Sequence, residues 1–139
     1  MSAAKVHSGG PIATGGVNEL LPELEKFYTD LHAHPELSME ETRTARLAAD
    51  RLRVAGYDVT AGIGKTGVVG LLRNGHGPTV MLRADMDALP VKEATGLPYA
   101  STVTATDSVG KVVPVAHACG HDMHVAWLAG ASALLVSHI

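Results

Sequence analysis

The spacing of apolar residues changes at Gly56, and this change restricts the chain to a fold that combines helices with strands. Before Gly56, apolar side chains recur every three or four residues from Val17, which predicts an amphipathic helix that reaches about His32. Ser38, followed three residues later by Glu41, has the pattern of a capping box. This pattern predicts a second helix, which ends at Gly56.

After Gly56 the apolar residues alternate, as they do in strands. Three strands are predicted, at residues 57–60, 67–73 and 79–85. A turn over residues 74–78 is predicted to join the last two strands as a hairpin. Residues 93–111 have irregular spacing, which predicts a long functional loop, and a third helix is predicted from His121 onward. This order predicts an α/β fold with a central mixed sheet flanked by helices.

The length and composition fit one compact domain. The chain has 139 residues, of which 46% are hydrophobic and 18% charged, so there is enough apolar material for a core. We therefore expect residues 17–139 to form one domain and residues 1–16, which are rich in small residues, to form a flexible tail.

The same numbers limit the partners and the compartment. A net charge of -3 and a pI of about 6.2 predict neither nucleic-acid binding nor membrane binding. The most apolar stretch, residues 125–139, is too short to span a bilayer. One cysteine cannot form an internal disulfide, and the first sixteen residues lack the apolar run of a signal peptide. The expected compartment is the cytoplasm.

Residues 117–124 read His-Ala-Cys-Gly-His-Asp-Met-His and concentrate side chains that bind metals. Borderline ions such as Zn2+, Mn2+ and Co2+ accept imidazole nitrogen and, more selectively, thiolate sulfur. Gly120 allows the backbone to turn so that Cys119 and His121 can face one centre, and His124 falls on the same helical face as His121. The alternative is that Cys119 is an inert buried thiol and that the histidines cap or stack. The clustering favours Cys119 and His121 as metal ligands, although two ligands do not complete a site.

Asp85 and Asp87 lie at the end of the third predicted strand. Because they are two residues apart, both are predicted to project from the same face. Active sites of open α/β sheets lie at the carboxyl ends of strands, where a carboxylate can bind a metal, orient a ligand histidine or act as a base. The alternative is that both aspartates only cap the loop after the strand.

Two other patterns are interpreted as structural. The Gly-Lys-Thr at residues 64–66 lacks the glycine that a phosphate-binding loop has five positions earlier, where Val59 stands, so no nucleotide site is predicted. His32 and His34 lie at the end of the first helix, where the helix dipole favours histidine. They are therefore expected to cap that helix.

Three ordered motifs resemble those of the N-acyl-amino-acid amidohydrolases. The first motif is residues 30–38, the second motif is residues 82–90 and the third motif is residues 117–124. That family includes hippurate hydrolases and plant auxin-conjugate hydrolases, and it is similar to co-catalytic metallopeptidases such as aminoacylase and carboxypeptidase. The match runs from about residue 20 to the C-terminus. The resemblance implies the N-terminal part of a co-catalytic metallopeptidase-like catalytic domain.

The resemblance also implies roles for individual residues. In proteins of this kind the cysteine and the second histidine of the third motif bind metal, which corresponds to Cys119 and His121. Related metallopeptidases have a His-x-Asp pair on the preceding strand, and here Asp85 stands in the place of that histidine. Only Asp87 is therefore expected to support catalysis. The complete enzyme would use two divalent ions, of manganese, zinc, cobalt or nickel, to polarise an amide carbonyl and activate a water, with a glutamate as proton shuttle.

The family's Glu-Glu pair, its remaining ligands and its dimerisation domain are expected beyond Ile139. The predicted parent activity is hydrolysis of the amide bond of N-acyl amino acids or small peptides, the isolated chain is expected to be inactive, and a homo-oligomer is left open. Two alternatives remain. One is a non-enzymatic metal- or redox-responsive domain that uses Cys119 and His121, and the other is a truncated fragment without function.

Overall fold

The computed structural model describes residues 16–138, and this part of the chain contains three helices and four short strands. In chain order they are α1 (Val17–Ala33), α2 (Thr42–Val54), β1 (Asp58–Ile63), β2 (Gly67–Leu71), β3 (Thr104–Thr106), β4 (Val112–Pro114) and α3 (His121–Val136). The three predicted helices are confirmed. Apart from Gly16, the predicted flexible tail lies outside the described residues.

The core lies where α1 packs against α3. Its buried side chains are Phe27, Leu31, Val125 and Ala126. Gly130 lets the two helices approach closely, because a β-carbon at this position would lie 2.7 Å from Cδ1 of Leu24. This packing fixes the end of α1 relative to α3.

The N-terminus of α2 is capped by Glu36 and not by Ser38. Oε1 of Glu36 accepts the Arg43 N–H at 2.8 Å, and Oε2 accepts the Thr44 N–H at 2.7 Å. The predicted capping box is wrong, because a carboxylate from the preceding loop reaches two free amide groups of the first turn. Its negative charge also complements the helix dipole there.

β1 and β2 form an antiparallel hairpin whose turn is the Gly-Lys-Thr at residues 64–66. The turn is bonded to the residues just before α2. Oε2 of Glu41 accepts the Thr66 hydroxyl at 2.6 Å, and Nζ of Lys65 donates to Oε1 of Glu40 at 2.5 Å. Glu41 therefore holds the hairpin against α2 and does not complete a capping box.

The hairpin predicted across residues 74–78 is wrong. Residues 72–87 contain no strand, and Val80 and Met81 are 80% and 84% exposed. A strand needs a neighbouring backbone to bond its N–H and C=O groups. The 79–83 segment pairs with no strand within residues 16–138.

A second antiparallel pair, β3 with β4, begins inside the region predicted to be a long loop. The α/β class is confirmed, with a difference in the sheet: in the described part of the chain the strands form two separate two-stranded sheets and not one central mixed sheet. None of the helices between residues 16 and 138 combines the length and the hydropathy needed to cross a membrane.

Candidate metal centre

Backbone hydrogen bonds bring the three motifs together. The Ala88 N–H donates to the Glu36 carbonyl oxygen at 2.8 Å, which joins the second motif to the first. Leu89 and Ala116 exchange two hydrogen bonds of 3.0 Å, which join the second motif to the residue before the third. Segments far apart in the chain therefore meet at one place.

His121 is the first residue of α3, and its ring is held by Asp87. Nδ1 of His121 lies 2.9 Å from both the carbonyl oxygen and Oδ1 of Asp87. Because both oxygens can only accept, Nδ1 carries a proton, and Nε2 is the ring nitrogen left to bind a ligand. A histidine held in this way presents Nε2 to a metal ion. The contact fits the supporting role predicted for Asp87.

Cys119 lies two residues before His121 and carries an exposed free thiol. Gly120 between them has a φ of 76°, a left-handed conformation that other residues adopt only with strain. This turn ends the loop and starts α3. Because the thiol is exposed, the alternative that Cys119 is a buried thiol is wrong.

His117 is buried, and within the described residues neither of its ring nitrogens has a hydrogen-bond partner. Burial lowers the pKa of His117, although the charge of Asp122 opposes this effect. An unpaired buried polar group costs about 1–3 kcal/mol. An orphaned imidazole two residues from Cys119 is the feature expected where a further polar or charged group completes a site.

The donor atoms present fit part of a metal site. Cys119 offers a thiol sulfur and His121 an imidazole nitrogen, which is a donor set that zinc and similar ions accept. Between residues 16 and 138, no group of three or more His, Cys, Asp or Glu side chains is arranged to hold one ion. The donor atoms of Cys119 and His121 suit a metal ion by their chemistry, but they do not complete a ligand set within the described residues.

Asp85 lies in different surroundings from Asp87. Its carboxylate pairs with the guanidinium of Arg83, and its side chain is 37% exposed. The strand on which a shared face was predicted does not form. Asp87 is therefore hydrogen-bonded to His121, whereas Asp85 is paired with Arg83, two residues before it.

The two histidines at the end of α1 differ from each other. His34 caps the helix as predicted, because its Nδ1–H donates to the Asp30 carbonyl oxygen at 2.7 Å. The capping prediction is wrong for His32, whose ring is buried between the carboxylates of Asp122 and Glu93. The sequence contained a signal for this, since His32 follows Tyr28 by four residues and therefore lies on the same face of α1.

His121 and His124 share a face of α3, as their spacing predicts. Their ring centroids are 5.6 Å apart, and the ring of Trp127 lies 5.7 Å beyond that of His124. His124 and Trp127 are exposed. This row of rings forms one side of the surface around His121.

The family model "Peptidase family M20/M25/M40" matches residues 81–139, which include the second and third motifs. Among curated proteins, the chain is 46% identical over 120 residues to a hippurate hydrolase from Campylobacter jejuni and 49% identical over 124 residues to thermostable carboxypeptidase 1 from Saccharolobus solfataricus. These matches cover 86% and 88% of the chain but only 29% of each relative. The chain thus spans less than a third of their length.

A solved structure from Bacillus subtilis supports the same likeness. It is described as a dinuclear metal binding peptidase from the M20 family, and it matches with a TM-score of 0.75 and 35% identity over 87% of this chain and 32% of its own. The resemblance predicted from the three motifs is confirmed by these matches.

Proposed function

Because the chain corresponds to the N-terminal part of hydrolases of the M20 peptidase family, we propose that it supplies two metal ligands and their orienting carboxylate to a metal-dependent amidohydrolase. The ligands are Sγ of Cys119 and Nε2 of His121. Asp87 is the orienting residue. The observation that carries this proposal is the pair of 2.9 Å contacts between Nδ1 of His121 and Asp87.

Each residue has a distinct task in this proposal. Asp87 keeps the proton on Nδ1 of His121 and holds the ring at one angle, so that Nε2 is available as a ligand. Cys119 adds a negatively charged sulfur once its thiol is deprotonated. When bound, a divalent ion polarises an amide carbonyl as a Lewis acid and makes a water nucleophilic near neutral pH.

We further propose that the complete protein acts on N-acyl amino acids or small peptides and uses two ions of manganese, zinc, cobalt or nickel. The names of the relatives, a hippurate hydrolase and a carboxypeptidase, support this class of substrate. The cytoplasm is the proposed compartment, because the single exposed cysteine serves as a ligand most readily where thiols stay reduced.

A second candidate function is a metal- or redox-responsive domain without turnover. The exposure of Cys119 and the incomplete ligand set within residues 16–138 favour it for this chain alone. Catalytic turnover by the complete protein would separate the two functions, because a sensor domain would bind the ion without hydrolysing an amide.

Binding of Co2+ to the chain tests the metal assignment. We expect a thiolate-to-cobalt charge-transfer band that Cys119→Ser abolishes and His121→Gln weakens strongly, together with a lower metal content by elemental analysis. His76→Gln is the matched control, because His76 lies in an exposed turn and should have no effect. An unchanged metal content in both Cys119→Ser and His121→Gln would show that the metal binds to other residues.

A further inference from the structure

His32 forms a buried bridge between two acidic side chains from distant parts of the chain. Its Nδ1–H donates to Oδ2 of Asp122 at 2.6 Å, and its Nε2–H donates to Oε1 of Glu93 at 3.0 Å. The exposed fractions of the three side chains are 10% for His32, 2% for Asp122 and 5% for Glu93. With both carboxylates ionised, each ring nitrogen needs a proton in order to donate, which is the imidazolium form.

Charge and packing both hold this ring in place. Burial alone would lower the pKa of His32, but the hydrogen bonds to Glu93 and Asp122 outweigh it and raise the pKa above its ordinary value. The rings of Tyr28 and Tyr99 lie 5.6 Å and 5.3 Å from the imidazole centroid. The ring has little freedom to turn away from either carboxylate.

On one side the bridge reaches the start of α3. Asp122 directly follows His121, and while its Oδ2 accepts from His32 its Oδ1 accepts the Met123 N–H at 2.9 Å. Both carboxylate oxygens are therefore occupied. The side chain of Asp122 fixes the first turn of α3, from which His121 projects.

On the other side the bridge closes the loop of residues 93–101. Oε2 of Glu93 accepts the Ser101 N–H at 2.5 Å, and Oε1 also accepts the Thr95 hydroxyl. Tyr99, which packs on the imidazole, belongs to the same loop. One imidazole thus connects α1, the first turn of α3 and this loop.

We propose that His32 is a positioning residue, which sets the orientation of His121 by holding Asp122 and which fixes the 93–101 loop beside the same turn. The expected effect on metal affinity rests on the proposed metal function of Cys119 and His121. Residues that hold a ligand from behind change metal affinity by about 10-fold to 100-fold when they are removed. A purely structural bridge would change only the stability of the fold.

The test measures Co2+ affinity and the thiolate-to-cobalt band of the chain in the His32→Gln variant. Glutamine is uncharged and has one amide nitrogen in place of the two ring nitrogens that bond Asp122 and Glu93, so we expect a shifted band and an affinity that is about 10-fold or more weaker. His34→Gln is the matched control, because this exposed histidine lies two residues away and its ring, within residues 16–138, bonds to Asp30 and to neither Asp122 nor Glu93. A folded His32→Gln variant with the band and affinity of the unmodified chain would overturn the proposal.

A second measurement keeps the proposal independent of metal binding. In the metal-free chain, the ring 15N signals of His121 should shift in His32→Gln and stay unchanged in His34→Gln, at a temperature where both are folded. If the unmodified chain shows no Cys119-dependent cobalt band, the proposed function fails, and these signals alone decide the role of His32. Unchanged His121 signals in His32→Gln would overturn the proposed role of His32.

If His32→Gln does not fold, Asp122→Asn tests the same connection. Asparagine keeps an oxygen for the Met123 N–H but loses the charge that binds His32. The same shift of the His121 signals is expected. A folded Asp122→Asn variant with unshifted signals contradicts the proposal.

Discussion

Residues 112–116 and residues 79–83 are both apolar stretches, yet only the first is paired with a strand and buries three of its side chains. Residues 112–116 contain β4, and Val115 and Ala116, which follow that strand, are 1% and 3% exposed. The Val115 N–H donates to the Val103 carbonyl oxygen at 3.0 Å. Val80 and Met81, in contrast, are 80% and 84% exposed in a segment without strand partners in the described structure. Apolar composition thus permits a strand, and a neighbouring backbone decides whether one forms.

The largest expected effect concerns turnover, because the metal site proposed beyond residues 112–116, at Cys119 and His121, is incomplete within residues 16–138. We expect no enzyme-like release of amino acid from hippurate or acetyl-amino acids, even with Mn2+, Zn2+ or Co2+ added. A general acid/base contributes about 10²–10⁴-fold in rate. The adjacent pair Glu40 and Glu41 is bonded instead to Lys65 and Thr66 in the turn between β1 and β2.

The control for turnover is each metal ion without protein. Robust hydrolysis that disappears in Cys119→Ala would contradict the prediction. It would point to a base among Asp85, Asp87, Asp122 and His124.

The contrast in burial is tested by Leu31→Ala and Met81→Ala. Leu31 is fully buried, so its truncation should lower the free energy of unfolding by about 2–5 kcal/mol. Met81 is 84% exposed, and its truncation should cost about 0.5 kcal/mol or less. Urea unfolding of both variants measures the difference. Equal losses would mean that the 79–83 segment is buried in solution.

The helix cap gives a smaller effect. Glu36→Ala should lower the free energy of unfolding by about 1–2 kcal/mol, because two amide groups at the start of α2 lose a charged acceptor. Ser38→Ala is the matched control and should leave the melting temperature unchanged. A larger loss of stability in Ser38→Ala than in Glu36→Ala would show that Ser38 caps α2, as the sequence predicted.

The pH dependence of stability tests the buried bridge of His32 with Asp122 and Glu93. Burial opposes ionisation of Glu93, but the bonds from Thr95, His32 and Ser101 lower its pKa from 4.5 to about 2. Its contribution to stability is present above pH 4.5 and disappears as the pH falls toward 2. The raised pKa of His32 means that its contribution is complete below pH 6.5 and disappears as the pH rises through the raised value.

The bridge should therefore stabilise the chain most between pH 4.5 and pH 6.5. Melting temperatures of the unmodified chain and of His32→Gln, measured from below pH 4.5 to above pH 6.5, give the difference. We expect the difference to be largest inside the window and smaller on both sides. A difference that does not depend on pH would show that the bridge is uncharged.

The sequence by itself determined the three helices, the α/β class and the residue types of the candidate metal site. Helical spacing carries its own information, because each helix bonds its backbone within one segment. The Cys-x-His spacing of Cys119 and His121 is equally local. Both features could be predicted without knowing what lies beside them.

Only the tertiary structure decided which residues meet. In the tertiary structure Glu36, and not Ser38, caps α2, and β1 pairs with β2. Asp87 is hydrogen-bonded to His121. His32 is buried between Asp122 and Glu93. Each of these contacts joins residues whose partners are not fixed by local spacing. The physical reason is that strand pairs and buried ion pairs take their free energy from a second segment, which the spacing within one segment does not identify.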